Sequence, residues 1–407
     1  MQHVKKHVTQ ILSVQTLNNN KYRPKSLTIY DIFVNDDNWS IYQTLRNPRA
    51  VEIKEVNKML SCGKEFRIYH CPKCNLDYTV CFGCNSRICT HCGKRYTDRW
   101  ADSVSKSVFD VNHRHFTMSI PSVLWSVFEK NRIILKDYMD IAIKVITKVM
   151  TLRLAKYITP GLIVALHTFG KDLCFKPHLH CIVTEGGVNK YGEWINNNYF
   201  PYEIFRKKWQ YQLLMMLKKK KVISPEMTNM LFKKYENGFY INDSSALYKN
   251  KINNFKKQNG KKLFKYIARY FRHPAVAESR LLKYDHKYVS FWYEENSGNK
   301  VVKSMIVLDF IKAIVGHIPE SQFKTVRHYG LYARNKSNKI KRIISNFIGC
   351  VKKTQKKITS YISIRCPKCL NCGTIMTLVF SSREISSDLP PPTYAKLVNL
   401  QPYLRFA

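Results

Sequence analysis

Apolar residues along this chain recur at two periods, and the switches between them mark out its elements. Alternation of period two runs through His113-Arg-His115-Phe-Thr-Met-Ser-Ile120, which stops at Pro121. It returns in Gly161-Leu-Ile-Val-Ala-Leu-His167-Thr-Phe-Gly170 and in Phe175-Lys-Pro-His178-Leu179-His180-Cys-Ile-Val-Thr184, so all three read as strands. Lys287–Tyr293 and Gln322–Gly330 read likewise, and Val301–Val315 as a strand entering a helix. Helical spacing predicts short amphipathic helices at Asp31 and over Val51–Leu60. A long helical region is predicted over Val123–Tyr157, broken at Pro160-Gly161. Leu263, Phe264, Ile267 and Phe271 predict a further helix that ends before Pro274, and Lys336–Lys357 a basic helical tail.

Side chains alternate faces on a strand, so His178 and His180 point one way and Leu179 the other. Two such imidazoles, about 6–7 Å apart, can share a divalent ion given a third ligand. The plainer reading is a half-buried strand with two polar residues on its solvent face. A turn-rich link, Gly170–Pro177, joins the preceding strand, and antiparallel pairing would bring His167 beside the pair as third ligand. Glu185 competes for that place, and a core histidine is the plain alternative for His167. His113 and His115 repeat the spacing but enclose an arginine, which makes them secondary. Tyr266 and Tyr270, four residues apart, project from one edge of their helix. Two core tyrosines would look the same, but a His-x-His strand followed by such a helix is the residue set of a metal-assisted tyrosine nuclease.

Composition narrows the partners. The 68 basic against 28 acidic residues give a formal charge of +40, and a polyphosphate is the obvious counter-surface. No apolar run approaches the ~18 residues of a membrane span, and Met1-Gln-His-Val-Lys-Lys lacks a secretory core. The expected location is intracellular, where thiols stay reduced, so the 13 cysteines read as metal ligands. Cys62, Cys71, Cys74, Cys81, Cys84, Cys89 and Cys92 crowd into one stretch, where CxxC knuckles hold zinc through thiolates. Cys71, Cys74, Cys89 and Cys92 form the most regular four-thiolate set. Cys62, Cys81 and Cys84 are then left for a second site, or as small buried hydrophobes. Cys366, Cys369 and Cys372, with Cys350 or a distant side chain as fourth ligand, suggest another zinc site. Basic side chains interleaved with Phe205, Trp209 and Tyr211 over residues 186–260 suit single-stranded DNA.

With these residues in hand, the chain resembles the two-tyrosine HUH rolling-circle transposases of the insertion-sequence-91 family, over most of residues 50–335. The resemblance rests on five motifs in the family's order. They are Cys84-Asn-Ser-Arg-Ile-Cys89-Thr-His-Cys92-Gly, His113-Arg-His-Phe-Thr-Met-Ser-Ile-Pro, and His167-Thr-Phe-Gly with Lys-Pro-His178-Leu-His180. Tyr266-Ile-Ala-Arg-Tyr270 and Val326-Arg-His-Tyr-Gly330 complete the set. It implies an α+β fold, an antiparallel palm-like HUH sheet flanked by helices behind a small zinc-binding domain. The implied blocks are an N-terminal arm and zinc domain over 1–105, a catalytic domain over 106–345 and a basic tail over 346–407. It further implies nicking and rejoining of single-stranded DNA at element ends and target. Tyr266 is the implied nucleophile and Tyr270 its second, with Mg2+ or Mn2+ on His178, His180 and His167, and structural Zn2+ on the cysteines. Lys265, Arg269 and Arg327 are candidate DNA contacts, and a bacterial cytoplasmic, nucleoid-associated location follows. A plasmid replication initiator or relaxase of the same chemistry, or an inactive zinc-dependent DNA-binding protein, is the alternative. Cys81 and the three-thiol Cys366 cluster depart from the family's pattern.

Overall fold

The computed structural model describes residues 27–109, 111–152, 157–197, 199–243, 275–295, 297–333, 369, 371–382 and 400–402. Three short amphipathic helices come first: α1 (Ile29–Val34), α2 (Asn38–Arg46) and α3 (Ala50–Leu60). Thr28 caps α1 in a capping box, its hydroxyl accepting from Asp31 N at 3.1 Å while the Asp31 carboxylate accepts from Thr28 N at 2.9 Å. A hairpin of β1 (Phe66–Cys71) and β2 (Leu76–Cys81) follows, then α4 (Thr90–Ser107). Next come β3 (His113–Ser119), α5 (Trp125–Lys130), α6 (Leu135–Leu152), β4 (Gly161–Phe169) and β5 (Phe175–Thr184). A small ribbon, β6 (Gly186–Val188) with β7 (Trp194–Asn196), leads to α7 (Tyr202–Lys219), α8 (Pro225–Lys234) and β8 (Ile241–Asp243). The remaining elements are β9 (Leu281–Tyr284), β10 (Tyr288–Glu294), β11 (Lys300–Ile306), α9 (Val307–Val315), β12 (Val326–Gly330), β13 (Thr377–Ser381) and β14 (Leu400–Pro402).

The mixture of helices with largely antiparallel sheets, β14 alone pairing in parallel among the described strands, is an α+β fold, as the sequence predicts. The helical region predicted over 123–157 holds two α-helices among the described residues, α5 and α6. They part at Asn131, whose side-chain amide bonds back to Val127 O at 2.9 Å. The tyrosine helix at 263–271 and the basic tail at 336–357 lie outside the described residues. No helix among the described residues is long and apolar enough to cross a membrane.

The chain clusters into two units that interleave along the sequence, one of Met1–Cys92, Ala277–Ile311 and Lys357–Ala407, the other of Gly93–Val276 and Lys312–Lys356. Where the sequence reading expects consecutive blocks, Ala277–Ile311 joins the cysteine-rich unit. Asn38 donates to Tyr284 Oη at 2.6 Å there, and Arg46 pairs with Asp309 at 3.2 Å. That unit holds a sheet of order β13-β1-β2-β14 and another of order β11-β10-β9.

The second unit is built on a sheet of order β12-β4-β5-β3-β8, antiparallel throughout. Leu162, Val164, Leu166, Leu179, Cys181 and Val183 point to one face, into a core closed by α6 and α7. Ile163, Ala165, Ile182 and Val326 point to the other, against Trp100, Ala101 and Val104 of α4. Both faces are therefore covered, and only alternate positions near the strand ends remain for polar side chains.

Candidate active site and cysteine centres

Antiparallel register sets His167 opposite His178, and Ala165 opposite His180. Because alternation puts His167, His178 and His180 on the Ala165 face, the three imidazoles converge beyond the apolar patch under α4. Each offers a nitrogen, and the three lie within 4.8 Å of one another. Ring centroids are 5.4 Å apart for His167 and His178, 4.6 Å for His167 and His180, and 5.0 Å for His178 and His180. His178 Nδ1 meets the Lys176 carbonyl at 2.8 Å, an N–H donated to the backbone that leaves Nε2 as its lone pair. Burial pushes His178 below the usual imidazole range, while the Lys176 carbonyl pulls the other way. Burial pushes His180 well below that range, and His167, His178 and His115 add to the shift. Three imidazoles converging on one point fit a divalent cation.

A fourth imidazole backs this cluster. His115 lies opposite Ile182 in the β3–β5 ladder, diagonal to His180. Its Nε2 is 3.0 Å from His180 Nδ1, and the two rings stack at 5.2 Å. Burial lowers His115 to about 4, so it too is neutral near pH 7. The sequence places His115 second because Arg114 sits beside it. Arg114 points to the other face, where it pairs with Glu185 at 2.8 Å and Asp243 at 3.3 Å and lies 5.0 Å over the Phe200 ring.

Glu185 is thus engaged by Arg114 and is no part of the imidazole cluster. Arg327, a candidate DNA contact, follows Val326 on β12 and so points away from the histidine face. Its guanidinium pairs with Asp140 of α6 at 3.0 Å. Tyr266, Tyr270, Lys265 and Arg269 lie outside the described residues.

The cysteines group differently from the expected set. Cys62, Cys84, Cys89 and Cys92 form one cluster; Cys71, Cys74, Cys369 and Cys372 form another, each with sulfurs within 4.8 Å. The reason is the hairpin. Six-residue strands are about 17–20 Å long, and Cys71 and Cys74 lie at the turn end while Cys62 and Cys84 flank the open end. One ion cannot bridge Cys71 and Cys74 to Cys89 and Cys92. Cys62 Sγ lies 3.5 Å from Cys92 Sγ and 3.8 Å from Cys89 Sγ. In the second cluster Cys71 Sγ lies 3.5 Å from Cys372 Sγ, and Cys369 Sγ 3.8 Å from Cys74 Sγ. Tetrahedral Zn–S bonds of ~2.3 Å place sulfurs about 3.8 Å apart, so both donor sets suit structural zinc. Cys81, paired with Phe66 in the ladder, belongs to neither, and Cys366 and Cys350 lie outside the described residues.

Comparison with known proteins places two spans of the chain in transposase families. Residues 161–339 match the family described as "Putative transposase", and residues 34–120 match the "Transposase zinc-binding domain". The chain is similar to the "Transposase for insertion sequence element IS801" of Pseudomonas savastanoi pv. phaseolicola, at 26% identity over 77% of each chain. It is also similar to the "Putative transposase y4qJ" of Sinorhizobium fredii (strain NBRC 101917 / NGR234), at 20% identity over 76% of this chain and 83% of the other. No solved structure matches the chain.

Proposed function

Because this chain belongs to the insertion-sequence-91 transposases, with their N-terminal zinc-binding domain, we propose that it nicks and rejoins single-stranded DNA at element ends. The observation that carries this reading is the convergence of His167, His178 and His180 on one sheet face. These residues would hold Mg2+ or Mn2+, which when bound polarises the scissile phosphate and offsets charge on its oxygens.

The chain's own groups then divide the work. Burial disfavours the charged form of His178 and His180, and the Lys176 carbonyl holds the His178 ring in one orientation. The Tyr266 oxygen attacks phosphorus in line, forming a 5′-phosphotyrosine as the bond to the 3′-oxygen breaks and a 3′-hydroxyl departs. A phosphodiester is exchanged for a phosphodiester, so a 3′-hydroxyl can reverse the step without an energy source. A phenol titrates near ~10 and needs help to ionise. Lys265 and Arg269, which flank Tyr266 in the sequence, are the nearest cations along the chain. Tyr270 makes the second cleavage, which a rolling-circle route requires. Both tyrosines fall inside the matched span 161–339, which supports their assignment. The zinc-binding domain match favours a transposase over a replication initiator of the same chemistry.

The test is a labelled single-stranded oligonucleotide incubated with the protein and Mn2+, followed by denaturing electrophoresis and mass mapping. A covalent adduct on Tyr266, absent from Tyr266→Phe, is expected. An adduct confined to Tyr270 would reverse the roles of the tyrosines. No adduct at all would leave a DNA-binding protein without catalysis.

A further inference from the structure

The cluster of Cys71, Cys74, Cys369 and Cys372 draws half its thiols from beyond residues 34–120, the span of the zinc-binding match. We propose that it is a second Zn2+ site, separate from the Cys62 site, whose ion clasps the segment of β13 onto the β1–β2 hairpin.

Three observations besides the sulfur spacing carry this. Both CxxC pairs make the same knuckle. Asn75 N donates to Cys71 O at 2.9 Å with Asn75 at φ +53°, and Gly373 N donates to Cys369 O at 2.8 Å with Gly373 at φ +71°. A left-handed residue just after the second cysteine turns the chain so that both thiols face one point. The sulfurs also have their own donors. Cys74 N reaches Cys71 Sγ at 3.4 Å, and the Tyr78 hydroxyl lies 3.3 Å from Cys369 Sγ. N–H and O–H groups aimed at sulfur stabilise thiolate ligands. Finally, the backbone brings the two knuckles together without help from the sulfurs. Beyond Cys372 the chain pairs with β1, from His70 opposite Thr377 to Arg67 opposite Ser381. Met376 is buried with Tyr69 and Tyr78 beneath the cluster.

Such a clasp is physically reasonable despite the separation of 301 positions between Cys71 and Cys372. Loop-closure entropy grows only with the logarithm of length, whereas the four zinc–thiolate bonds are independent of it. It also gives the site a property the Cys62 site lacks. Until synthesis passes Cys372, the hairpin presents two thiolates and cannot close a tetrahedral shell. Zinc at this site therefore marks a chain made at least that far, and ties the hairpin to a strand made long after it.

The experiment uses the full chain. Native mass spectrometry of wild-type protein is expected to count two zinc ions. Increasing chelator, with alkylation mapped by mass spectrometry, is expected to expose Cys71, Cys74, Cys369 and Cys372 as one set. Cys62, Cys84, Cys89 and Cys92 should open as another, with exposed Cys174 labelled throughout as control. The variant C369S/C372S should lose one of the two ions and unprotect Cys71 and Cys74 alone. One ion in the wild type, two in the variant, or protection of Cys366 in place of Cys369 would overturn the proposal. The wild-type labelling stands even where the variant fails to fold, and none of these readouts depends on DNA cleavage.

Discussion

A neutral imidazole carries one N–H and one lone pair, so the partner at one nitrogen decides what the other can offer. The Lys176 carbonyl settles this for His178. For His180 the partner is His115, 3.0 Å from Nδ1. His180 can present a lone pair at Nε2 only when Nδ1 carries the proton and His115 Nε2 accepts it. Under the proposed function, His115 would therefore position His180 for a bound cation. Replacing it by Phe keeps a ring and removes the acceptor, and Mn2+ affinity should fall about 10–100-fold. Electron paramagnetic resonance of free Mn2+ measures this, with H115Q, which retains an acceptor, keeping most of the affinity. Equal affinity in H115F and wild type would remove His115 from the centre. The sequence shows this residue but not its partner, because the contact is diagonal across a strand pair whose register no local pattern states. Arg327 illustrates the reverse case, a basic residue that looks available in sequence and whose guanidinium is held by Asp140 across the core face.

At the scale of elements, alternation was enough to place His178, His180 and Leu179, because a buried two-faced strand enforces its period. The turn after His167 made its pairing legible too. The cysteine grouping was not, since Cys369 and Cys372 reach the hairpin only through long-range β1–β13 pairing. The motif ending in Gly330 has a backbone reason. Gly330 sits at φ +55°, and a Cβ there would come 1.9 Å from the Pro160 carbonyl oxygen. Gly330→Ala should therefore destabilise the unit by about 2 kcal/mol or more, read from denaturant midpoints. A neutral effect would mean that β12 can shift off β4. The link after α9 carries a pH dependence as well. His317 Nε2 lies 3.0 Å from Leu173 O, its Nδ1 3.2 Å from the Thr168 hydroxyl, and burial lowers it to about 4. Its folded pKa lies below the unfolded value near ~6.5, so the unfolded chain binds the proton first. Stability should fall as pH drops from about 6.5 towards 4, by at most ~3 kcal/mol from this residue. His317→Leu should flatten that part of the stability profile in urea titrations, and an unchanged slope would assign the loss elsewhere.

For the whole molecule, the quantity that matters is the excess of 40 positive charges. Most of it has no acidic side chain to meet, since 68 basic residues face only 28 acidic ones. A chain so charged repels itself, and a polyanion relieves that repulsion by exchanging its condensed counterions for lysine and arginine. The free energy of binding then comes largely from counterion release, and it must weaken steeply with salt. For single strands the logarithm of the binding constant falls with a slope near −0.7 per phosphate neutralised. If six to ten phosphates are engaged, affinity should drop roughly 300-fold to 10⁴-fold between about 50 and 200 mM salt. Fluorescence anisotropy of a labelled oligonucleotide measures that slope. Tyr266→Phe removes no charge, so it should keep both affinity and slope while forming no adduct. With DNA held saturating, the rate of adduct formation should change little over the same range, because the bond exchange releases no counterions. Binding that ignores salt would mean that the basic excess serves some other surface, even if the adduct still forms.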